Sequence, residues 1–516
     1  MRNLSYWSKI ILMISVLLGF STTAKTQRDK RDYVWINGYD FTSEYQGNDN
    51  FIFNFNNGSS PKLTTGLPLS FSGNNTSICD KDGNLLLYSN GCHIADANNN
   101  IIENGSGINE GIWVDTIKDT CDDYPGFQDV LLLDSPSSNE FFYLIHKRTN
   151  RNPNDNRDFY RTLNYSTINI ESDSDKPIVV EKNSILFDSE RFLYSYLTAI
   201  PHQNGKDWWI TQPLELSPEL AVIKLDENGF EITGTYTFPF EYVDNSSASG
   251  SARFSPDGTK YAYFNTYDNL VIYDFDRETG EMSNQQYIEL FDTPDEDIRE
   301  GSVEWSPNSR FIYLSAQDVL VQLDTWDSDL KASAIEIDTY DGGLDPFPTQ
   351  FFMMALAPDC RIYMNSLNGS QSYHVINKPN EKGLACDFVQ QGIKLPAASS
   401  VGTMPNFPRF RVDEENKCDP TITSIFGDDI YWRRDLTCYP IPVMDELTVE
   451  LPEQKRGQIV VVDMGGQVVI HKELIAGTPI KQLSMGGLPA GTYSVEFIPD
   501  NNKERRIWTK RVVKID

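Results

Sequence analysis

The chain has 516 residues, a hydrophobic fraction of 39% and an aromatic fraction of 12%. That length allows more than one domain at roughly 100–200 residues each, and the apolar content is too low for a many-span membrane protein. Lys and Arg number 44 against 74 Asp and Glu, a net charge of −30. This excludes a nucleic-acid partner held by clustered basic residues and predicts an acidic, solvated surface.

The first residues, MRNLSYWSKIILMISVLLGFSTTAKTQ, carry Arg2 and Lys9, an apolar core from Ile10 to Phe20, and small residues before a cleavage point near Ala24. The core falls short of the ~20 residues that a spanning helix needs. Residues 1–24 therefore read as a signal peptide, and no transmembrane segment is expected after its removal. No cysteine follows the apolar run, which argues against lipid anchoring at a new N-terminus. An exported chain can oxidise its thiols. The seven cysteines contain no C-x-x-C pair, so neither a zinc nor a redox motif is expected. Proximity along the chain pairs Cys360 with Cys386 and Cys418 with Cys438. Buried free thiols are the alternative, since Cys tolerates burial well.

Internal repetition comes next. ARFSPDGTKYAYF at 252–264 is followed by VEWSPNSRFIYLS at 303–315 and MALAPDCRIYMNS at 354–366. Their prolines, Pro256, Pro307 and Pro358, are each 51 residues apart (307 − 256 and 358 − 307). Weaker copies place Pro201, Pro136 and Asp80 at the same turn. Each unit has an apolar strand, a Pro-Asp-Gly-like turn, a continuous apolar strand such as YAYF or FIYL, and a third strand ending in Asp or Asn. Such units, roughly 40–50 residues long, describe the blades of a β-propeller. Seven blades are favoured over residues 33–412, with six or eight as alternatives. The seventh is expected to begin with GTMPNFPRFRV at 402–412 and to borrow strands such as FIFNFNNG at 51–58. The repeats resemble the TolB-like, WD-repeat-like propeller family, most closely over 197–377, which implies a fold more than an activity.

After a polar linker at 413–438 comes a last unit, 439–516. It has alternating strands LTVEL, QIVVVD, YSVEF and KRVVK and turns at Gly465-Gly466 and Ala490-Gly491, the pattern of a small antiparallel β-sandwich. Its motifs are YPIP (Tyr439, Pro440, Pro442), an Asp463 to Gly466 turn, LPAGTY (Leu488, Gly491, Tyr493) and a basic-apolar last strand ending at Lys514. In that order they resemble the type A C-terminal sorting domain of the type IX secretion system of Bacteroidetes-type bacteria, with Ile441 in place of the usual Asn. The resemblance implies export through the periplasm to the outer-membrane translocon, with the propeller as cargo, either released or attached to the cell surface.

Chemistry is sparse. No H-E-x-x-H, G-x-S-x-G, P-loop or G-x-G-x-x-G occurs, so no catalytic, cofactor or metal residue is assigned. His202 and His374 are placed either at a central channel or in structural positions. DKDGN at 80–84 reads as a hairpin turn rather than a calcium loop, because the distal ligands are missing. Acidic runs at 119–124 and 292–300 leave calcium open. Trp208 and Trp209, adjacent on a strand and so facing opposite ways, are expected between blades. Three functions remain: a scaffold binding a glycan, peptide or protein; a propeller-type glycan lyase or hydrolase; and a structural component of surface adhesion or gliding machinery.

Overall fold

The computed structural model describes residues 28–515 apart from several stretches, the longest being 39–49, 112–125, 241–249, 292–300 and 423–436. The expected signal peptide and both acidic runs lie outside the described residues. Strands dominate, and one 3-10 turn, Gly383–Cys386, is the helical element among the described residues.

Blades two to seven each contain four antiparallel strands. Their inner strands are Thr76–Cys79, Val130–Asp134, Thr198–Pro201, Ser251–Phe254, Gly301–Trp305 and Met354–Leu356. These are buried along almost their whole length, because a neighbouring blade covers each face and water reaches neither. The outermost strands are more exposed, and one of them, Gly229–Thr237, puts every second residue towards solvent. Blades two and three also join at their outer edges through a parallel pairing of Ile178 with Glu103. The apolar clusters follow one another around the ring, each shared by neighbouring blades. One cluster packs Trp35 and Phe53 of the first blade against Tyr363 and Tyr373 of the seventh, which closes the circle.

The repeating turn is explained by one backbone position. Gly258, Ser309 and Cys360 all have positive φ, at 74°, 60° and 66°, and are again 51 residues apart (309 − 258 and 360 − 309). In the first copy Asp257 Oδ1 accepts from Ser255 Oγ at 2.6 Å and from the Thr259 amide at 3.1 Å, the local bonding that lets a short polar side chain hold a tight turn. One weaker copy shifts. In the fourth blade the left-handed residue is Gly205, with φ 69°, four residues after Pro201, whereas Gly258 follows Pro256 by two. Pro201 is the last residue of its strand, paired with Trp208.

The first blade, which completes the ring of seven, departs from expectation at its inner edge. Its strands, Val34–Asn37, Asn50–Asn54 and Pro61–Thr64, all come from the N-terminus, and FIFN lies among them as expected. Residues 402–412 do not form a strand in it. Val34–Asn37 lies beside the inner strand of the second blade and antiparallel to it: the Cys79 amide donates to Arg31 O, and Ser77 Oγ to Val34 O. The segment at 403–412 runs down the axis instead. Pro405 and Pro408 have no amide hydrogen to give to a ladder.

The C-terminal unit is a sandwich of a three-stranded and a four-stranded sheet. Val443, Leu447, Val449, Ile459, Val461, Leu483, Val495, Phe497 and Val512 fill the space between them.

Candidate functional site

The axis of a propeller is where its inner strands converge, and here the chain itself fills it. Residues 403–412 touch every blade. Asn365 Nδ2 of the seventh blade donates to Thr403 O at 2.8 Å. The Asn406 amide donates to Asn75 O at 2.8 Å in the second blade. The Asn406 side chain donates to Val130 O and Leu197 O, both at 3.0 Å, in the third and fourth. Its Oδ1 accepts from Gln128 Nε2 at 3.3 Å and from Arg253 Nη1 at 3.0 Å. Phe407 stacks on Trp35 of the first blade at 6.0 Å. Arg409 donates to Phe254 O at 2.9 Å and pairs with Glu304 of the sixth.

One buried carboxylate governs the charge here. Glu304 is 1% exposed, pairs with Arg253 and Arg409, and accepts the amide of Leu356 at 3.0 Å. Burial pushes the Arg253 guanidinium down to about 10, against the pull of Glu304, so it stays charged at neutral pH. A glycosidase or lyase would need a carboxylate free to take or give a proton. Glu304 is committed to two arginines and two backbone amides, those of Trp305 and Leu356, and Asp129 beside the axis pairs with the buried Lys147. At the lower mouth, a depression of about 460 Å³, including its open side, is lined by Asp32, Pro256, Cys360, Arg409, Arg411 and Lys417. Its charges are also occupied: Arg411 pairs with Asp32, and Lys417 Nζ donates to Arg411 O at 3.0 Å and Glu414 O at 2.6 Å.

Neither candidate histidine lines the axis. His202 occupies a hairpin turn, accepts the Asn204 amide at 3.0 Å and stacks on Trp209 at 5.4 Å. His374 is buried on a third strand, where its Nδ1 accepts the Gln391 amide at 3.1 Å. Both tryptophans are wedged between blades as expected, Trp208 in the cluster of the second to fourth blades and Trp209 in that of the fourth and fifth. DKDGN is a hairpin turn, with Asp80 Oδ1 accepting the amides of Asp82 and Asn84 at 2.9 Å. Among the described residues no group of His, Cys, Asp and Glu is arranged to hold a metal ion.

His146, buried in the third blade, lies between Asn109 and Ser166 at 2.5 and 3.1 Å. Burial pushes it down to about 3. Its unfolded form protonates near 6.5, so between these values the unfolded chain binds the extra proton. Stability contributed by this group is therefore lost as pH falls from 6.5 towards 3, at about 1.4 kcal/mol per pH unit at most. Urea unfolding of wild type and His146→Gln between pH 7 and 4 should show a shallower acid slope in the variant; equal slopes would remove His146 from the account.

The cysteine pairing expected from proximity is corrected. Cys360 bonds Cys418, with Cα atoms 5.2 Å apart, while Cys386 is a buried thiol and Cys438 is buried in the core of the sandwich. Cys360 occupies the left-handed turn of the seventh blade. The tail leaving the axis passes beneath that turn, and the Asp419 amide donates to Pro358 O at 3.1 Å. Cys386 lies on the 3-10 turn between the blade's two outer strands, and Cys438 belongs to the sandwich. Cys92 is also disulfide-bonded.

In the sandwich the motif residues divide between core and surface. Tyr493 is buried and its hydroxyl donates to Pro489 O at 2.8 Å. Lys514 is buried; Asp463 pairs with Tyr493 across the sheet. Leu488 packs against the core, and Gly491 opens the strand that contains Tyr493. Gly466 lies outside the described residues. After Pro440 and Pro442, Val443 brackets the last strand, donating to Val513 O at 2.8 Å and accepting from the Ile515 amide at 2.9 Å. This leaves Tyr439, Ile441, Met444, Val513 and Ile515 between 37% and 56% exposed along one edge, an apolar strip of the kind that marks a contact surface.

Residues 437–514 match the family described as the secretion system C-terminal sorting domain. No curated protein matches the chain. Among solved structures, a protein from Lactobacillus plantarum is similar at 10% identity, covering 87% of this chain and 99% of its own, with a TM-score of 0.36. A putative 6-phosphogluconolactonase from Bacteroides fragilis is similar at 9% identity, covering 72% and 98%, with a TM-score of 0.37. The β-propeller domain of a Myceliophteria thermophila protein is similar at 8% identity, covering 76% and 98%, with a TM-score of 0.29. Among the described residues no helix is long and apolar enough to cross a membrane. The C-terminal unit is thus a secretion-system sorting domain, which indicates export.

Proposed function

We propose that this chain, whose residues 437–514 form a secretion-system sorting domain, is an exported β-propeller that acts outside the cell as a binding scaffold for a glycan or protein partner. Residues 1–24 serve as its leader into the periplasm, and the exposed strip on the sorting domain is what the translocon reads. The observation that carries the reading is the sorting-domain match. The occupied axis supports binding over catalysis, because the carboxylate and the cations that converge there are already bonded to one another. Recognition then falls to the surface of the propeller.

The strip gives a direct test. Val513 and Ile515 are 41% and 37% exposed, so Val513→Glu with Ile515→Glu should change stability by no more than ~0.5 kcal/mol per site while cutting delivery outside the cell severely. Normal delivery of a folded double variant would sink the assignment of this surface. The binding reading fails separately if the purified mature chain turns over a glycan or peptide substrate.

A further inference from the structure

The axial segment has the features of a bound ligand rather than of a blade. It makes no ladder with any strand. It is held by backbone bonds at Asn406 and Arg409, the latter donating to Ala199 O at 3.2 Å, and by Thr76 Oγ1, which donates to Asn406 O at 3.0 Å. Two side chains are read by complementary groups. Both ends of the Asn406 amide are bonded, and Arg409 meets Glu304. Two aromatic anchors flank them, Phe407 on Trp35 and Phe410 edge-on to Trp208 at 5.9 Å. Pro405 and Pro408 fix an extended backbone before any contact forms. Proline-rich peptides use the same preorganisation when they enter aromatic-lined grooves at low entropic cost. The receptor half is equally specific: Gln128 Nε2 donates to Ala252 O at 3.0 Å, and Gln128 Oε1 accepts the Ala252 amide at 3.1 Å, which holds Gln128 in place to meet Asn406.

We propose that the axial channel is a peptide-binding site occupied in cis. It recognises an extended Pro-Asn-Phe-Pro-Arg-Phe sequence, read at Asn406 and Arg409, and the Cys360–Cys418 bond keeps that segment from leaving. The bond closes eight residues after Phe410 (418 − 410), just past the lower mouth. A tethered segment competes at an effective concentration on the order of millimolar, so an added peptide gains entry once the tether is lengthened by opening the bond.

The test uses the full mature chain and a fluorescent synthetic peptide of residues 401–414. In the oxidised protein, uptake at 1 mM peptide, a concentration set by the roughly millimolar tether, should stay at background, and the amides of Asn406 and Arg409 should exchange as slowly as those of the inner strands. In Cys360→Ser with Cys418→Ser, exchange at those two amides should rise at least about tenfold, as local opening predicts, with Val303 unchanged, and the peptide should be taken up. Peptides carrying Ala in place of Asn406 or Arg409 should enter at least about tenfold less, the ratio expected for losing one buried bonded group. Uptake equal for all three peptides, or exchange unmoved by the double substitution, overturns the proposal. Should the double variant not fold, uptake by wild type in reductant decides on the same criteria. These readouts concern the channel alone, so they can fail while the exported-scaffold reading stands.

Discussion

A chain ending at Cys438 is expected to accumulate in the periplasm, with its amount outside the cell falling to background. The two sheets of the sandwich bury their own core, from Val443 to Val512, separately from the clusters of the ring. Removing residues 439–516 therefore leaves each interblade cluster intact and takes away the exposed strip at Tyr439, Ile441, Met444, Val513 and Ile515. The loss should be one of address and not of folding. Fractionation of cells expressing the truncated and full chains, with protease resistance of the periplasmic product as the folding control, measures it. Undiminished appearance of the truncated propeller outside the cell would refute the route.

Glu304→Ala should be the most damaging single substitution at the axis. Glu304 joins Arg253 on the neighbouring blade, Arg409 on the axial segment, and the backbone of Leu356 on the seventh blade. Alanine leaves two buried guanidinium groups facing one another with no counter-charge. Removing one partner of a buried pair costs about 3–5 kcal/mol, a large share of the 5–15 kcal/mol typical of a folded protein. Glu304→Gln keeps hydrogen-bond acceptance and loses the charge, so it should fall between wild type and alanine. Urea titration followed by tryptophan fluorescence is suited to this, since Trp305 is the adjacent residue and its indole donates to Arg253 O at 3.1 Å. A midpoint shift no larger than that of a surface substitution, about 0.5 kcal/mol, would mean that Glu304 does not hold the axis.

The blades were legible because their signal is local. A turn that needs positive φ at Gly258, Ser309 and Cys360 writes itself into four or five consecutive residues, and the 51-residue interval repeats it. Pro201 misled because it lies on the strand side of its turn, and only the register with Trp208 reveals the offset. The sandwich was legible for the same local reason, as alternating strands between glycine turns. The axial segment was not, since GTMPNFPRFRV has strand-like apolar residues at nearly the expected interval, and its partners Asn75, Val130, Leu197 and Glu304 are all distant in sequence. One signal did exist. Arg253 and Glu304 are charged residues at the same place in two otherwise uncharged inner strands, 51 apart (304 − 253), and such residues are seldom buried unless paired. The disulfide was missed because closeness along the chain says little about closeness in a ring: its cysteines are 58 residues apart.

The position of that disulfide also sets a mechanical load path. The sorting domain follows Cys418 in the chain, so tension drawn through it would reach Asp419, bonded to Pro358 O and the Tyr33 hydroxyl, and then Cys418, before the axial segment. From there it passes through a covalent bond into the hairpin of the seventh blade at Cys360, bypassing residues 403–412. The axial hydrogen bonds at Asn406 and Arg409 lie behind that covalent bond. The propeller can thus be drawn by its C-terminal end without being unthreaded through its own centre.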